Sequence, residues 1–351
     1  MDPNGGKNNL SNKLSKEEAI ARLEKESFKR ITVSFYKYVH ITDINFFRNE
    51  LYNKWFSLNI FGRIYLANEG INAQISIPED NLNNFIASLS SEVYLKNIPF
   101  KIAVEDNGKS FYKLTIKIRK KIVADGLSAN EYDVTNVGNH MSALEWNRAI
   151  NNGATVIDMR NHYESEIGKF KGALCPEVET FKQELPVVKE ILKGKESEKL
   201  LLYCTGGIRC EKASAYLKNY GFKDVNQLHG GIIDYVRQVK ANPSIENKFV
   251  GKNFVFDARL SERITDDVIS NCHQCGKKCD NHINCKNVNC NLLFLQCLEC
   301  KVKYKSCCSI ECIETSQLSD TKRKELRKGK TNKNIFHSHK KVKLNIKKII
   351  A

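Results

Sequence analysis

A cysteine followed by a glycine-rich loop is the feature of this sequence most suited to chemistry. The apolar residues 200–203 predict a buried strand that ends at Cys204. The next residues, 205–209, read Thr-Gly-Gly-Ile-Arg and predict a loop, because paired glycines favour backbone that a strand does not use. Helical spacing over residues 210–220, with Gly221 where a C-terminal cap belongs, predicts a helix after the loop. This order places the thiol at the carboxyl edge of a sheet, beside free N–H groups and a helix N-terminus.

These surroundings favour an ionised thiol. The thiolate is the nucleophilic form, and backbone N–H groups, a helix N-terminus and the cation of Arg209 all stabilise it. The alternative is a small packing cysteine, which has no need of two glycines beside it. We therefore predict Cys204, Arg209 and Cys210 as catalytic and expect the sulfur of Cys204 to be open to solvent. Cys210 would be a resolving thiol, with helix packing as the alternative. The loop residues predicted to bind substrate are Thr205, Gly206, Gly207 and Ile208.

Strands and helices alternate around this loop. Strands are predicted at residues 155–157, at 200–203 and near Val225, between helices at 177–192, 210–220 and 231–240. Such alternation is typical of a parallel sheet covered on both faces, with sites at the carboxyl ends of its strands. Asp158 and Arg160 follow the first strand and are predicted either to brace the sheet edge or to act in catalysis. His229 is predicted to be a packing residue of a loop.

The N-terminal part of the chain has a different pattern. Strands are predicted at residues 31–38, 62–66, 71–77 and 111–118, with helices at 43–58 and 81–89. The order β-α-β-β-α-β is the ferredoxin-like arrangement. The last predicted strand carries Lys113, Lys117 and Arg119 beside aromatic residues, which suits contact with a nucleic acid as substrate. A solvated strand face with alternating lysines is the alternative.

The C-terminal part is dominated by cysteines. Four close pairs could supply eight thiolates, enough for two tetrahedral sites: Cys272 and Cys275, Cys285 and Cys290, Cys297 and Cys300, Cys308 and Cys312. Such sets select zinc or an iron–sulfur cluster, and short pairs in a polar segment favour structural zinc. The pairs could be shared between sites in an interleaved or a sequential order, and His273 or His282 could replace a cysteine. A segment this short and polar would need the metal for its stability.

Composition sets the broad class of protein. The chain has 351 residues, enough for two or three domains, and a net charge of +16. From Thr321 onward there are twelve Lys or Arg and one acid, Glu325. This tail could attract a polyanion such as RNA, or be simply a solvated basic tail. We expect no membrane span and no secretory signal, and 13 cysteines in a cytoplasmic protein suggest metal or catalysis rather than disulfides.

Several motifs together carry a resemblance to known proteins. VIDMRNHYESEIGKFKGA, LLYCTGGIRCEKASAYL and LHGGIIDYV resemble a rhodanese domain, although Gly168-Lys169 replaces its usual Gly-His pair. Related phosphatases need Cys-x5-Arg, whereas four residues separate Cys204 from Arg209, so a phosphatase is not predicted. With GRIYLANEGINAQISIP, and with ERITDDVISNCHQCG and the other cysteine pairs, residues 31–315 resemble the rhodanese-type tRNA uridine hydroxylase family.

The resemblance implies a fold and an activity. The fold class is an α/β multidomain protein whose segments are a flexible N-terminus (1–26), a ferredoxin-like domain (27–126), a connector (127–144), a rhodanese domain (145–245), a cysteine-rich zinc module (246–316) and a basic tail (317–351). The implied activity is that of a monooxygenase-type oxidoreductase, which uses molecular oxygen to hydroxylate C5 of the wobble uridine, position 34, to 5-hydroxyuridine. Cys204 is then the essential cysteine, implied to form a persulfide, and Cys210 its companion.

The partner implied is the anticodon stem-loop of tRNA, with no stable protein partner. The splayed bases of such a loop can enter a pocket without the breaking of a duplex. No dinucleotide, flavin or two-histidine-one-carboxylate pattern is evident, so a redox cofactor is not identified. The residues alone favour a second activity, that of a persulfide sulfurtransferase acting on tRNA or a small thiol. A non-catalytic zinc and RNA-binding adaptor is a third hypothesis, which the intact Cys204 loop disfavours.

Overall fold

A five-stranded mixed sheet, a parallel sheet and a cysteine-rich segment follow one another along the chain. The computed structural model describes Leu10 and residues 14–104, 106, 108–128 and 131–328. Most of the predicted basic tail, and part of the predicted N-terminal segment, lie outside the described residues. Within these ranges, no helix combines the length and the apolar character needed to cross a membrane.

The first domain is a mixed sheet with helices on one face. After α1 (Lys16–Glu24), its elements are β1 (Arg30–Tyr38), α2 (Ile44–Ser57), β2 (Phe61–Ala67), β3 (Gly70–Pro78), a 3-10 turn (Glu79–Asn81), α3 (Leu82–Ser91), β4 (Phe100–Ile102) and β5 (Leu114–Ile118). The strand order is β4-β1-β3-β2-β5, with β4 antiparallel to β1. The ferredoxin-like prediction is confirmed.

One detail of that prediction is corrected. The strand that completes the motif is β4, which has three residues and no clear alternation, and the predicted strand 111–118 is instead an added edge strand, β5, parallel to β2. Helix α1 forms within the predicted flexible N-terminus. A capping box of Ser15 and Glu18 starts it, and Leu23 packs on Phe61 and Phe111.

The two faces of the first sheet have different surroundings: one packs in the core of the domain and the other lines a cavity. On β1, Val33 and Phe35 enter the core, where the Phe35 ring lies 6.1 Å from that of Trp55. The alternate residues, Ser34 and Tyr36, lie on the opposite face and line a cavity toward the second domain. This period of two follows from the pleat of a strand.

The second domain is the predicted α/β layer structure. Its elements are β6 (Asn139–Met141), α4 (Ala143–Asn151), β7 (Thr155–Asp158), α5 (His162–Ser165), β8 (Gly168–Phe170), α6 (Phe181–Ile191), β9 (Lys199–Tyr203), α7 (Ile208–Asn219), β10 (Asp224–Leu228) and α8 (Gly231–Ala241). The sheet order is β6-β10-β9-β7, and every pairing is parallel. Helix α4 starts with a capping box of Ser142 and Glu145.

From Leu200 to Tyr203, the sequence of strand β9 is apolar and does not alternate between apolar and polar residues, because both of its faces are covered. Leu200 and Leu202 pack with α6 and α7 on one face of the sheet, whereas Leu201 and Tyr203 pack with α4 and α8 on the other. Both faces of the central strand are therefore buried, as expected for a parallel sheet between two helical layers.

The third region docks on the second domain through a strand. Its elements are β11 (Phe249–Phe254), β12 (Ser261–Arg263), β13 (His282–Asn284), β14 (Leu293–Leu295), α9 (Leu298–Lys303), α10 (Ile310–Gln317) and α11 (Asp320–Arg327). Strand β11 pairs antiparallel with β8 of the second domain and with β12, whereas β13 and β14 form a separate hairpin.

A buried lysine joins the first two domains. The ammonium of Lys212, on α7, donates to both oxygens of Glu69 at 3.0 Å and to Asp125 at 2.9 Å, and also to the carbonyl of Val123 at 3.1 Å. The side chain of Lys212 is 1% exposed and that of Asp125 is 0% exposed. Glu69 lies in the turn between β2 and β3, so this cluster fixes the first sheet against the helix that follows the Cys204 loop.

We expect Lys212→Met to destabilise the protein by about 3 kcal/mol, because it removes the buried cation shared by Glu69 and Asp125 and leaves the Asp125 carboxylate with the ammonium of Lys121 as its remaining cationic partner. Urea unfolding followed by tryptophan fluorescence measures this, since Trp55 and Trp146 report on the first and second domains respectively. The control is Lys195→Met, whose exposed pair with Glu198 is worth less than about 1 kcal/mol. Equal losses in the two variants would contradict a buried interlock.

Candidate active site

Cys204 lies directly after β9, and Ile208 begins α7, as the pattern of strand, loop and helix predicts. The backbone N–H of Gly207 donates to the sulfur of Cys204 at 3.1 Å. Gly207 has a φ of +98°, and a Cβ there would lie 2.8 Å from the hydroxyl of Tyr36. Glycine is therefore required at this position both by backbone conformation and by space.

A second glycine, at the start of α8, allows close contact with the backbone of the loop. A Cβ at Gly231, which has a φ of +67°, would lie 2.5 Å from the carbonyl oxygen of Cys204. The next residue, Ile232, donates its N–H to that same carbonyl at 3.0 Å. The start of α8 thus binds the backbone carbonyl of Cys204, whereas the sulfur of the same residue accepts a hydrogen bond from the loop.

The surroundings of Cys204 favour the ionised form of its sulfur. Burial alone raises the pKa of this thiol, but a hydrogen bond from Cys210, the charge of Arg209 and the backbone N–H groups of Arg209 and Gly207 outweigh it and lower the pKa to about 5. Burial and the neighbouring anion hold the pKa of Cys210 well above its usual value. Cys210 therefore keeps its proton and donates a hydrogen bond to the thiolate, a role that differs both from the predicted resolving thiol and from its packing alternative.

The expected exposure of Cys204 is wrong, since the residue is 0% exposed. It nevertheless lies in the wall of a cavity of about 410 Å³, together with the loop residues Thr205, Gly206 and Ile208. Three of the four predicted loop residues are thus brought together at one wall, where Arg209 also contributes; the fourth, Gly207, does not line this cavity. A reagent reaches the sulfur only after the loop or the opposite wall moves.

Glu164 holds the loop in place. Its carboxylate accepts two hydrogen bonds from Arg209, at 2.5 and 2.9 Å, and one from the hydroxyl of Thr205 at 3.2 Å. The side chain of Glu164 is 0% exposed, so a charge-assisted, bidentate pair with Arg209 balances both charges away from water. Sequence reasoning missed Glu164, because a glutamate in a short acidic segment has no distinguishing pattern.

The first domain covers the loop with tyrosines. The hydroxyl of Tyr36 donates to Glu211 at 2.9 Å, and that of Tyr38 donates to the carbonyl of Ile208 at 3.3 Å. Glu211 also contacts Nε2 of His140 at 3.0 Å and the amide of Gln227 at 2.9 Å. Burial raises the pKa of Glu211, but these hydrogen bonds outweigh it and lower the pKa, while Glu211 raises the pKa of His140.

All three regions line the cavity at Cys204. The first domain contributes the polar and aromatic face of its sheet, the second domain contributes the loop, and the third contributes the segment after β11. The lining residues from the first and third regions that carry polar or aromatic groups include Tyr36, Arg63, Tyr65, Asn72, Gln74, Lys101, Phe256 and Arg259. The ammonium of Lys101 lies 5.0 Å from the ring centroid of Tyr36, and burial lowers its pKa. Sequence reasoning found none of these residues. Alternation along a strand predicts which residues share one face of a sheet, but not which other domain that face contacts.

The predicted basic residues lie beside this cavity and not in it. Lys117 is on β5 and is paired in register with Tyr65 of β2, while Lys113 and Arg119 flank the ends of β5. The guanidinium of Arg119 lies 5.6 Å from the ring centroid of Tyr65. The three cations therefore lie along the open edge strand of the first sheet.

Asp158 and Arg160 brace the sheet edge. Arg160 donates two side-chain hydrogen bonds to Asp158, at 2.8 and 2.7 Å, and both side chains are 0% exposed. Arg160 also donates to the carbonyl of Gly168, and Tyr203 donates to Asp158. His229, predicted as a packing residue, instead has a side chain that is 60% exposed and lies 3.6 Å from Asp234.

The eight paired cysteines form two clusters that could each hold a metal ion. The first contains Cys272, Cys275, Cys297 and Cys300, and the second contains Cys285, Cys290, Cys308 and Cys312. The pairs are thus interleaved, first with third and second with fourth, an order that spacing had left open. Cys279 and Cys307 belong to neither cluster, and neither cluster includes a histidine.

The geometry of both clusters fits a tetrahedral metal. The sulfurs of each cluster lie within 4.8 Å of one another, with individual separations of 3.5 to 3.7 Å. Metal–sulfur bonds of about 2.3 Å in a tetrahedron require similar separations. Backbone N–H groups of Cys297 and Cys308 donate to sulfurs of their clusters, as expected for thiolate ligands.

Comparison with known proteins gives matches over nearly the whole chain. Three family models match: "UPF0176 acylphosphatase like domain" at residues 30–122, "Rhodanese-like domain" at 142–238 and "Rhodanase C-terminal" at 250–313. A protein of Leptospira interrogans named tRNA uridine(34) hydroxylase is 53% identical over 97% of this chain and 93% of its own length. A protein of the same name from Escherichia fergusonii is 45% identical over 96% of each chain.

Two solved structures are similar to part of the chain. A rhodanese-like domain protein from Staphylococcus aureus is 19% identical, with a TM-score of 0.24, and the match covers 28% of this chain and 90% of that one. A rhodanese-like domain from Anabaena is 18% identical over 33% of this chain and 80% of its own, with a TM-score of 0.26.

The pH dependence of alkylation tests the ionisation of Cys204. Because its pKa is lowered to about 5, the rate of reaction with iodoacetamide should rise with pH to a plateau whose midpoint is near 5. Cys175 is the internal control, since burial raises its pKa to about 11 and its rate should still be rising at pH 9. Cys210→Ala removes a hydrogen-bond donor and should move the Cys204 midpoint upward. Peptide mass spectrometry measures both sites, and a Cys204 rate that keeps rising through pH 9 would contradict the assignment.

Proposed function

The chain belongs to the tRNA uridine(34) hydroxylase family, and from that membership we propose that it hydroxylates C5 of the wobble uridine of tRNA to 5-hydroxyuridine. The reaction is of the monooxygenase type, with molecular oxygen as the co-substrate. The anticodon stem-loop is the bound partner, and the enzyme works in the cytoplasm. The boundaries given above for the ferredoxin-like domain (27–126) and the zinc module (246–316) are part of this proposal, and the rhodanese domain is taken to begin at β6.

One observation carries the proposal: the Cys204 loop shares a cavity of about 410 Å³ with an aromatic and polar sheet face of another domain. A cavity of this size accommodates a small ligand such as a nucleoside. Tyr36 and Tyr65 offer rings on which a base can stack, and Asn72 and Gln74 offer amides for its edge. A uracil splayed out of the anticodon loop would then lie between this sheet face and the loop.

The residues at Cys204 have distinct roles in this proposal. Cys204 supplies the reactive sulfur, and the thiol of Cys210 donates a hydrogen bond to it. The guanidinium of Arg209 balances the negative charge, and Glu164 keeps that guanidinium in position. Thr205, Gly206 and Ile208 form the wall against which the base rests. Gly207 is not part of this wall, and its N–H group and that of Arg209 keep the sulfur charged in the absence of water.

The basic edge of the first sheet would bind the RNA backbone. Lys113, Lys117 and Arg119 lie along β5 outside the cavity at Cys204, where a strand leading to the flipped base would pass. Phosphate contacts of this kind position the RNA without reading its sequence. They also make the affinity depend on salt concentration.

We assign zinc to the two cysteine clusters. Sets of four thiolates select zinc or iron–sulfur clusters, and short ligand pairs in a small polar segment favour structural zinc. Bound zinc would supply folding free energy to the third region and take no part in the reaction.

Metal analysis tests this assignment. Protein purified without chelator should contain about two zinc ions per chain, and Cys300→Ser and Cys308→Ser should each lose about one, because each breaks a different cluster. Cys307→Ser is the control, since Cys307 is adjacent to Cys308 but outside both clusters, and should keep about two. Metal content near zero, or metal loss in the Cys307 variant equal to that in the Cys308 variant, would refute the assignment.

Removal of the sulfur tests the activity. Cys204→Ala should lower 5-hydroxyuridine formation by several orders of magnitude and leave the affinity for tRNA within about twofold, because the phosphate contacts lie elsewhere. Mass spectrometry of wobble nucleosides from a deletion strain that carries each variant gives the first quantity, and Cys175→Ala serves as the control. Unchanged 5-hydroxyuridine with loss of 2-thio nucleosides would instead favour the sulfurtransferase.

A further inference from the structure

A second cavity, which the proposed reaction does not use, lies between the first domain and the third region. Its volume is about 670 Å³, within the range of small-molecule binding sites. Helix α1, strands β2 and β5 and the segment 109–113 form one side, and β11, β13 and β14 and their loops form the other. Arg63, Phe256 and Asp257 line both this cavity and the one at Cys204, so the two share a wall.

The shared wall continues into a cluster of aromatic rings. The Phe254 ring lies 5.2 Å from that of Phe256, 5.1 Å from that of Tyr163 and 5.3 Å from that of His282, measured between centroids. The guanidinium of Arg209 lies 5.8 Å from the ring centroid of Phe256. This aromatic cluster therefore extends from the Cys204 loop into the second cavity, and its rings provide surfaces on which a planar group can stack.

His282 is the polar group of this cluster that lacks a partner. It lines the cavity and is 7% exposed; both ring nitrogens are buried, and neither has a hydrogen-bond partner within the described structure. Burial lowers the pKa of His282 to about 3, so the ring is neutral and offers one N–H donor and one acceptor. A buried polar group without a partner is costly, and a ligand that supplies both a donor and an acceptor would remove that cost.

The charges around the second cavity favour an anionic ligand. The acids in its wall are already engaged: Glu24 with Lys109, Glu166 with His273, and Asp257 with Arg259. That leaves three further cations of the wall, Lys16, Arg63 and Lys113, with no ion pair among the described residues. Stacking surfaces, a donor–acceptor pair and surplus positive charge are together the requirements of a nucleotide.

We propose that this second cavity binds the base of a nucleotide directly adjacent to the target uridine in the same RNA strand. The base stacks on the aromatic cluster and pairs with the imidazole of His282, while the surplus cations contact the neighbouring phosphates. Two cavities with a shared wall would hold two consecutive bases splayed apart, with the backbone passing near Arg63. The inference rests on the proposed function, because it takes the RNA strand at Cys204 as given.

The test compares His282→Phe with the unaltered chain in binding a labelled anticodon stem-loop at fixed salt. Phenylalanine keeps a ring beside Phe254 but removes both nitrogens, and should weaken binding about tenfold. The same comparison uses stem-loops with an abasic residue on either the 5′ or the 3′ side of the target uridine. The affinity of the unaltered chain for one of these RNAs should also be about tenfold lower than for the intact stem-loop. With that RNA, His282→Phe should cause no further loss of affinity. The RNA concerned identifies which neighbour is bound.

Two controls make the result specific. His40→Phe makes the same exchange at an exposed position outside both cavities and should bind like the unaltered chain. The abasic RNAs are also measured on the unaltered chain alone, which tests the subsite even if His282→Phe folds poorly. Equal affinity of that chain for the intact and both abasic stem-loops would overturn the inference, as would a His282→Phe penalty that persists with both abasic RNAs.

Assay of 5-hydroxyuridine formation in parallel separates the two proposals. Formation of 5-hydroxyuridine by a chain that is indifferent to both neighbouring bases overturns the second subsite alone. Absence of both hydroxylation and RNA binding in the unaltered chain overturns the proposed function and this inference with it.

Discussion

A negative charge on a buried sulfur is the constraint on which the active site depends. Burial disfavours a thiolate, so the protein must supply compensating charge and hydrogen bonds at short range. The N–H of Gly207, the thiol of Cys210 and the cation of Arg209 provide them. Arg209 is itself buried and needs the carboxylate of Glu164 in turn. The negative sulfur is thus balanced by Arg209, and Arg209 is balanced by Glu164, which lies on the short helix α5 of the second domain.

The neighbouring domains create the burial that the hydrogen bonds and charges of the loop must offset. Tyr36 and Tyr38 of the first domain donate to Glu211 and to the carbonyl of Ile208 respectively, and so cover the loop on that side. Lys212 then fixes the first sheet against α7 through a buried cluster of charges. A single α/β domain would leave the loop at its surface, whereas here all three regions contribute walls to one cavity at Cys204.

The third region contributes to this arrangement with a very small core. Its two apolar clusters consist largely of cysteines, joined by a few larger side chains such as Phe294 and Tyr304. Burial on this scale contributes little folding free energy. Bound metal would supply the missing part and would fix the hairpin of β13 and β14, which carries His282 beside Phe254.

Much of the fold could be predicted from local patterns. The β9–loop–α7 unit, the Ser142–Glu145 capping box and the alternation on β1 depend on residues that are close in sequence. Strand β4 was missed because three residues carry no measurable period, and pairing with β1 is what makes them a strand. The predicted basic strand was found in the right place in the sequence but at the edge of the sheet, outside the cavity at Cys204.

The sequence by itself determined that a thiol follows a buried strand, that glycines surround it and that eight cysteines come in close pairs. Tertiary structure alone decided which cysteine pairs meet, that Cys204 is buried, and that Glu164, Tyr36 and Lys101 surround its loop. The reason is the range of the interactions. Backbone preference and hydrophobic period act between neighbours in the chain, whereas ion pairs, cavity walls and metal clusters join residues whose separation in the sequence is set only by the packing of whole domains.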